Sequence, residues 1–128
     1  MTKEIETRKD VYRLVVMFYG KIREDDLLGP IFNTHIKDWE AHFELLTDFW
    51  ESNLFFVKKY SGNPLLKHQE VDASENYTLE QLHFGRWLNL WFQTINDLYH
   101  GEKATIAKNR ARNMSTFFYL SIFKARGS

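Results

Sequence analysis

Lys37-Asp38-Trp39-Glu40-Ala41-His42-Phe43-Glu44-Leu45-Leu46-Thr47-Asp48-Phe49-Trp50 is the stretch from which the fold is read. Trp39, His42, Phe43, Leu46, Phe49, Trp50 and Leu54 recur three and four residues apart. That spacing puts them on one face of a helix from about Lys37 to Phe56. Upstream, Val11, Leu14, Val15, Phe18 and Ile22 repeat the pattern and predict a helix over roughly Thr7 to Glu24. Asp25-Asp26 and Gly29-Pro30 are expected to end it, leaving Ile31-Phe32-Asn33 at most a short turn. Downstream, Gly62 and Pro64 break the long helix, and Leu65 to Gln69 reads as a short helical piece. The polar stretch Val71 to Tyr77 reads as loop. Thr78-Leu79-Glu80-Gln81 has capping-box form and opens a helix through about Tyr99. Its expected inward residues are Leu79, Leu82, Trp87, Leu90, Trp91, Ile95 and Leu98. Gly101 precedes a last helix from about Lys103 to Lys124, carrying Ile106, Ala107, Ala111, Met114, Phe117, Phe118, Leu120 and Ile122. No hairpin signal interrupts this all-α reading.

Composition narrows the function. The 128 residues suit one domain, 1–128, large enough for a core. Lys+Arg and Asp+Glu both total 17, so charge offers no case for a nucleic-acid or membrane partner. With no Cys, disulfides, zinc-thiolate sites, iron–sulfur clusters and thiol catalysis are excluded. The charged start Met1-Thr2-Lys3-Glu4 is unlike a signal peptide, and the apolar run Leu14 to Tyr19 is too short to span a bilayer. A cytoplasmic location is the resulting expectation. Eleven Phe, six Tyr and four Trp supply large flat surfaces, suited either to a dense core or to a wide apolar slot.

Several polar residues sit among these aromatics. His42 shares the inward face with Trp39, Leu46 and Trp50. It reads either as a core imidazole with one hydrogen bond or as a ligand-facing group. His68 follows the Gly62/Pro64 turn and reads either as exposed or as a neutral metal ligand. Tyr19 is either an inward phenol that needs a partner or one that snorkels to the surface. Trp87 is a core indole or a donor-only group facing a ligand. Glu80-x-x-His83 has metal-like spacing, but a carboxylate-bridged di-iron bundle needs two such pairs, and one exists here. His35 and His100 fall near helix ends and are expected to be solvated. Phosphate loops, zinc signatures and catalytic triads have no counterpart.

Six segments, in order, carry a resemblance: Phe18-Tyr19-Gly20-Lys21-Ile22-Arg23, Leu28-Gly29-Pro30-Ile31-Phe32-Asn33, Trp39-Glu40-Ala41-His42, Phe49-Trp50, Gly62-Asn63-Pro64 leading to His68, and His83-Phe84-Gly85-Arg86-Trp87-Leu88. Over roughly Val11 to Phe92 the chain resembles the truncated haemoglobins, most closely their group III. The absence of a Gly-Gly pair, which groups I and II usually carry, points the same way. The stretch Gln69 to Tyr77 departs from many relatives in lacking prolines.

The resemblance implies a two-over-two helical sandwich around haem b (iron protoporphyrin IX). His68 would be the proximal iron ligand. Tyr19, His42 and Trp87 would face diatomic gas ligands on the distal side, and Phe32, Leu46 and Trp50 would line the pocket. Three donors on that side would hold a ligand that gathers negative charge, such as dioxygen, or an anion such as cyanide. Slow dioxygen release would suit nitric oxide dioxygenation, peroxide chemistry or sensing better than bulk oxygen carriage. Turnover would then need an unidentified electron donor. The alternative is a non-haem helical interaction module in which the same residues are plain core.

Overall fold

The structure is a computed structural model that describes residues 1–56, 72 and 79–127, excepting the side chains of 123 and 125–127. Thr7 caps helix α1 (Arg8–Glu24): its Oγ1 accepts from the Asp10 amide at 3.3 Å, and the Asp10 carboxylate accepts from the Thr7 amide at 3.2 Å. This reciprocal box satisfies two donors that a helix start leaves open. The inward residues Val11, Leu14, Val15, Phe18 and Ile22 are all buried, as their spacing predicts.

At the end of α1, the Asp25 carboxylate accepts from the amides of Leu27 and Leu28 at 3.1 and 2.9 Å. The turn leads into α2 (Gly29–His35), which corrects the expectation of at most a short turn over Ile31-Phe32-Asn33. Gly29-Pro30 begins this helix rather than merely ending the one before. Proline is tolerated in a first turn, where its missing N–H has no intrahelical partner to lose. Glycine is needed at 29 because a Cβ there would lie 2.8 Å from the Arg23 carbonyl oxygen.

Asp38 caps α3 (Trp39–Phe55) by accepting from the Ala41 amide at 3.1 Å, and Phe56 ends it at φ 57°. The next helix whose bounds are described, α4 (Gln81–Leu98), opens with Glu80 as its cap. The expected cap Thr78 lies outside the described residues. So do the break from Lys58 to Pro64, the short helix Leu65 to Gln69 and, apart from Asp72, the loop Val71 to Tyr77. Asp72 is buried and its Oδ1 accepts from the Leu79 amide at 3.1 Å. Leu82, expected inward, is exposed at the first turn of α4. The last helix is α5 (Glu102–Gly127). Phe117 and Leu120 are exposed on it, so its inward face is narrower than its apolar content suggests.

The helices form two pairs, α1 with α3 and α4 with α5, with α1 meeting α4 and α3 meeting α5 across the layers. Between the layers lies a ladder of rings. Trp50 stacks on Trp91 at 4.7 Å and Trp91 on Trp87 at 6.0 Å, while Phe18 meets Trp91 and Trp87 edge-on at 4.9 and 5.4 Å. Trp91 Nε1 donates to the Ala107 carbonyl at 3.2 Å. Alanine at 104, 107 and 111, all buried, gives α5 a low-relief surface against this ladder. Outside, Arg8 reaches from α1 to Asp48, Glu51 and Glu44 of α3 at 2.7, 2.8 and 2.9 Å. This fork ties the two helices of that layer together.

One feature departs from the purely helical reading. Residues Lys3–Glu4 (β1) pair in parallel with Tyr99–His100 (β2), in register Lys3 to Tyr99 and Glu4 to His100. A pair this short carries no alternation that could be read from sequence. Tyr99 anchors it by donating its hydroxyl hydrogen to the Asp10 carbonyl at 2.8 Å. Among the described residues no helix is long and apolar enough to cross a membrane.

Candidate functional site

Where the layers meet, a cavity of about 400 Å³ opens. The periodicity of each helix explains its walls. Residues 42, 45, 46, 49 and 50 of α3 share one face and supply His42, Leu45, Leu46, Phe49 and Trp50. Leu28, Ile31, Phe32 and His35 form a second wall at the same spacing through α2. From the start of α4 come His83, Phe84 and Trp87, with Leu79 just before it. Helix α5 adds Met114, Ser115 and Phe118, and Tyr19 reaches in from α1.

Of the residues singled out in the sequence, Tyr19, Phe32, His42, Leu46, Trp50 and Trp87 all line this cavity. They come from four helices and converge only in the folded chain. His68 lies outside the described residues. The expectation that His35 is solvated is corrected: it is half-buried and lines the cavity. The cause is the length of α2, which carries residue 35 onto the same face as Leu28, Ile31 and Phe32. His100 is exposed, within hydrogen-bond distance of Thr2 Oγ1 through Nδ1 at 2.7 Å. Ser115 and Phe84 were missed. Phe84 carries no polar signal, and a single serine on an amphipathic helix reads as ordinary surface.

The polar groups deep in the cavity are held by aromatic edges. His42 meets Tyr19 at 4.9 Å and Trp39 at 5.8 Å, both nearly perpendicular. The guanidinium of Arg23 covers the Trp39 ring at 4.5 Å. Tyr19 also packs against Phe18 and Phe32, at 5.0 and 5.9 Å. Burial pushes the Tyr19 phenol well above its ordinary range, so it stays protonated and remains a donor. Burial pushes His42 down to about 4, so at neutral pH it is an uncharged imidazole. Its Nε2 is buried and has no hydrogen-bond partner among the described residues. An unpaired buried polar atom costs roughly 1–3 kcal/mol. A cavity that carries one is suited to an occupant that supplies the partner.

The His42 shift has a consequence for stability. Above pH 6.5 the imidazole is neutral whether the chain is folded or not. As pH falls below 6.5, the unfolded chain takes up a proton that the folded ring refuses until about 4. Stability contributed by the neutral ring is therefore lost progressively between these values. The loss reaches about 1 kcal/mol by pH 5 once partial exposure is allowed for. Urea unfolding at pH 7 and pH 5 should show a smaller acid loss for His42→Leu than for the native chain. Equal losses would remove His42 as the cause.

A group 3 truncated hemoglobin, ctb, of Campylobacter jejuni is 30% identical to this chain over 131 residues, spanning 99% of each. The chain belongs to the group III truncated haemoglobins. The crystal structure of the group III truncated hemoglobin from Campylobacter jejuni matches the fold with a TM-score of 0.85, at 30% identity and over the whole of both chains. No family model matches the chain. The helical pairs described above are thus the two-over-two sandwich of a truncated globin.

Membership of this globin family implies a haem cofactor and the binding of small gaseous ligands. The cavity of this truncated haemoglobin fits such a group. Its walls are largely apolar and aromatic, the half-buried His42 carries a buried Nε2 with no partner among the described residues, and a protonated phenol lies beside it. Among the described residues no three His, Asp or Glu side chains gather to hold a bare metal ion.

Proposed function

We propose that this truncated haemoglobin holds haem b with His68 as the proximal iron ligand and offers Tyr19, His42 and Trp87 to diatomic gases on the opposite face. The observation that carries the reading is the His42 Nε2, without a partner among the described residues, beside the buried Tyr19 phenol in a largely apolar cavity. A bound haem would supply a redox-active iron able to take small ligands. The chain's part is to orient, donate and exclude water. Tyr19 donates from its phenol, and burial keeps that proton in place. Trp87 adds an indole N–H, its ring held by stacking on Trp91. His42, neutral and with Nε2 unpartnered among the described residues, gives or takes a hydrogen bond according to the ligand. Phe32, Leu46 and Trp50 form the apolar walls against which a flat ring packs.

Two other histidines are poor rivals to His68. The exposed His100 is engaged with Thr2. His83 Nδ1 accepts from the Glu80 amide at 2.9 Å, which leaves the proton of the neutral ring on Nε2. An iron ligand needs a lone pair at that atom.

A pocket with three donors favours ligands that gather negative charge, including dioxygen, peroxide and cyanide, with nitric oxide as a reaction partner. Such retention suits ligand chemistry, detoxification or sensing more than bulk carriage. Nitric oxide dioxygenation or peroxide turnover would draw electrons from a separate donor.

The test is a titration of the purified chain with haem, read as visible absorption in ferric and ferrous forms. A stoichiometric Soret band with a ferrous five-coordinate histidine spectrum is expected. A folded, colourless chain with no saturable band would overturn the reading and favour a helical interaction module.

A further inference from the structure

Among the described residues a third histidine lines the cavity besides His35 and His42, and the gas-binding site does not use it. His83 occupies the first turn of α4, is half-buried and lines the cavity. It forms a reciprocal capping box with Glu80, in which its Nδ1 accepts the Glu80 amide hydrogen. A neutral imidazole has one donor and one acceptor nitrogen. With Nδ1 spent as acceptor, Nε2 must carry the hydrogen. The fold therefore presents one tautomer, a fixed N–H donor at the cavity wall.

A porphyrin with two carboxylates needs donors at its polar edge, since a carboxylate against apolar walls loses its hydration without compensation. Lysine or arginine would be the ordinary solution. Among the described residues neither lines the cavity. Arg86, one turn beyond His83, is committed to the nearly buried carboxylate of Asp25 at 2.9 Å. Arg23 is stacked on Trp39. The polar side chains of the cavity are Tyr19, His35, His42, His83, Trp87 and Ser115. Tyr19 and His42 pack ring to ring at the Trp39 side, and Trp87 belongs to the tryptophan ladder. The donor atom of His83 is dictated by its backbone hydrogen bond to Glu80.

We propose that His83 is the residue that recognises the carboxylate edge of the porphyrin, donating from Nε2–H to one propionate while its Nδ1 caps α4. This rests on the haem reading above and deepens it. The consequence is a division of labour along two faces of a single ring. The helix start orients the imidazole, and the imidazole orients the cofactor.

The experiment compares haem loss to an excess of a high-affinity apo-globin from the native protein, His83→Glu and His83→Leu. Each is loaded with iron protoporphyrin IX or with its dimethyl ester, which lacks the carboxylates. Glutamate at 83 retains an acceptor for the Glu80 amide and so keeps the capping box. It replaces the donor with a negative charge. With iron protoporphyrin IX both variants should lose haem about tenfold faster or more, His83→Glu fastest, as expected for a hydrogen bond to a charged group. With the dimethyl ester all three proteins should lose haem at one rate. Equal acceleration with both porphyrins would mean that His83 acts only through the fold, and would overturn the proposal. Unchanged rates with iron protoporphyrin IX would overturn it as well, while leaving the haem reading intact. A native chain with no saturable Soret band would sink the haem reading and this proposal together.

Discussion

Replacing His68 with alanine is expected to strip haem from this protein, or to leave it so loosely held that it is lost during gel filtration. Even changes that merely disturb the partners of a metal ligand cost about ten- to hundredfold in affinity. Loss of the ligand itself should cost at least the upper end of that range. The remaining pocket is apolar and aromatic, so ring burial alone gives retention without coordination. The readout is the ferrous spectrum after haem titration. Millimolar imidazole should restore a five-coordinate histidine-type spectrum by occupying the vacated position. A variant that keeps such a spectrum unaided would move the iron ligand elsewhere, with His35 the next residue to replace, because it is a further cavity-lining imidazole.

The second large effect is expected from Tyr19→Phe. This substitution removes one hydroxyl and leaves the ring contacts with Phe18, Phe32 and His42 in place. The lost hydrogen bond would be one made to a ligand carrying partial negative charge, worth about 1.5–3 kcal/mol. Dioxygen should therefore leave roughly ten- to a hundredfold faster. Carbon monoxide gathers little charge, so its release should change far less. The ratio of the two effects separates hydrogen bonding from a change in pocket shape. Trp87→Phe should act in the same direction, but it also disturbs the stack on Trp91, so both gases should respond. Unchanged dioxygen release in both variants would remove the donor network from the account.

The two predictions stand on different kinds of information. His68 rests on its place after Gly62-Asn63-Pro64 in a chain that belongs to the group III truncated haemoglobins. Tyr19 rests on that resemblance and also on geometry. Its spacing left open whether the phenol turned inward or reached the surface, because residue 19 lies at the margin of the stripe formed by Val11, Leu14, Val15, Phe18 and Ile22. Burial of the ring, with Phe32, Trp39 and His42 around it, closes that question.

What could be read in the one-dimensional pattern was whatever depends on neighbours three and four residues away. The helices α1, α3, α4 and α5, their inward faces and the placing of His42 beside Trp39 and Leu46 all follow from local periodicity and side-chain burial. Misreadings arose where a local rule had two outcomes. Gly29-Pro30 can end a helix or begin one, and the chain uses it to begin α2, which carries His35 to the cavity. Helix α4 opens with Glu80 as its cap, which His83 answers three residues on.

Tertiary structure alone decided the rest. Pairing of Lys3–Glu4 with Tyr99–His100 joins residues 96 positions apart, and no local pattern encodes it. Whether His42 Nε2 finds a partner and which helices wall the cavity depend on atoms brought together from distant positions. Hydrophobic burial is nearly indifferent to direction, so a sequence pattern can specify it. A hydrogen bond, or the lack of one, depends on distance and angle, and those exist only once the helices have packed.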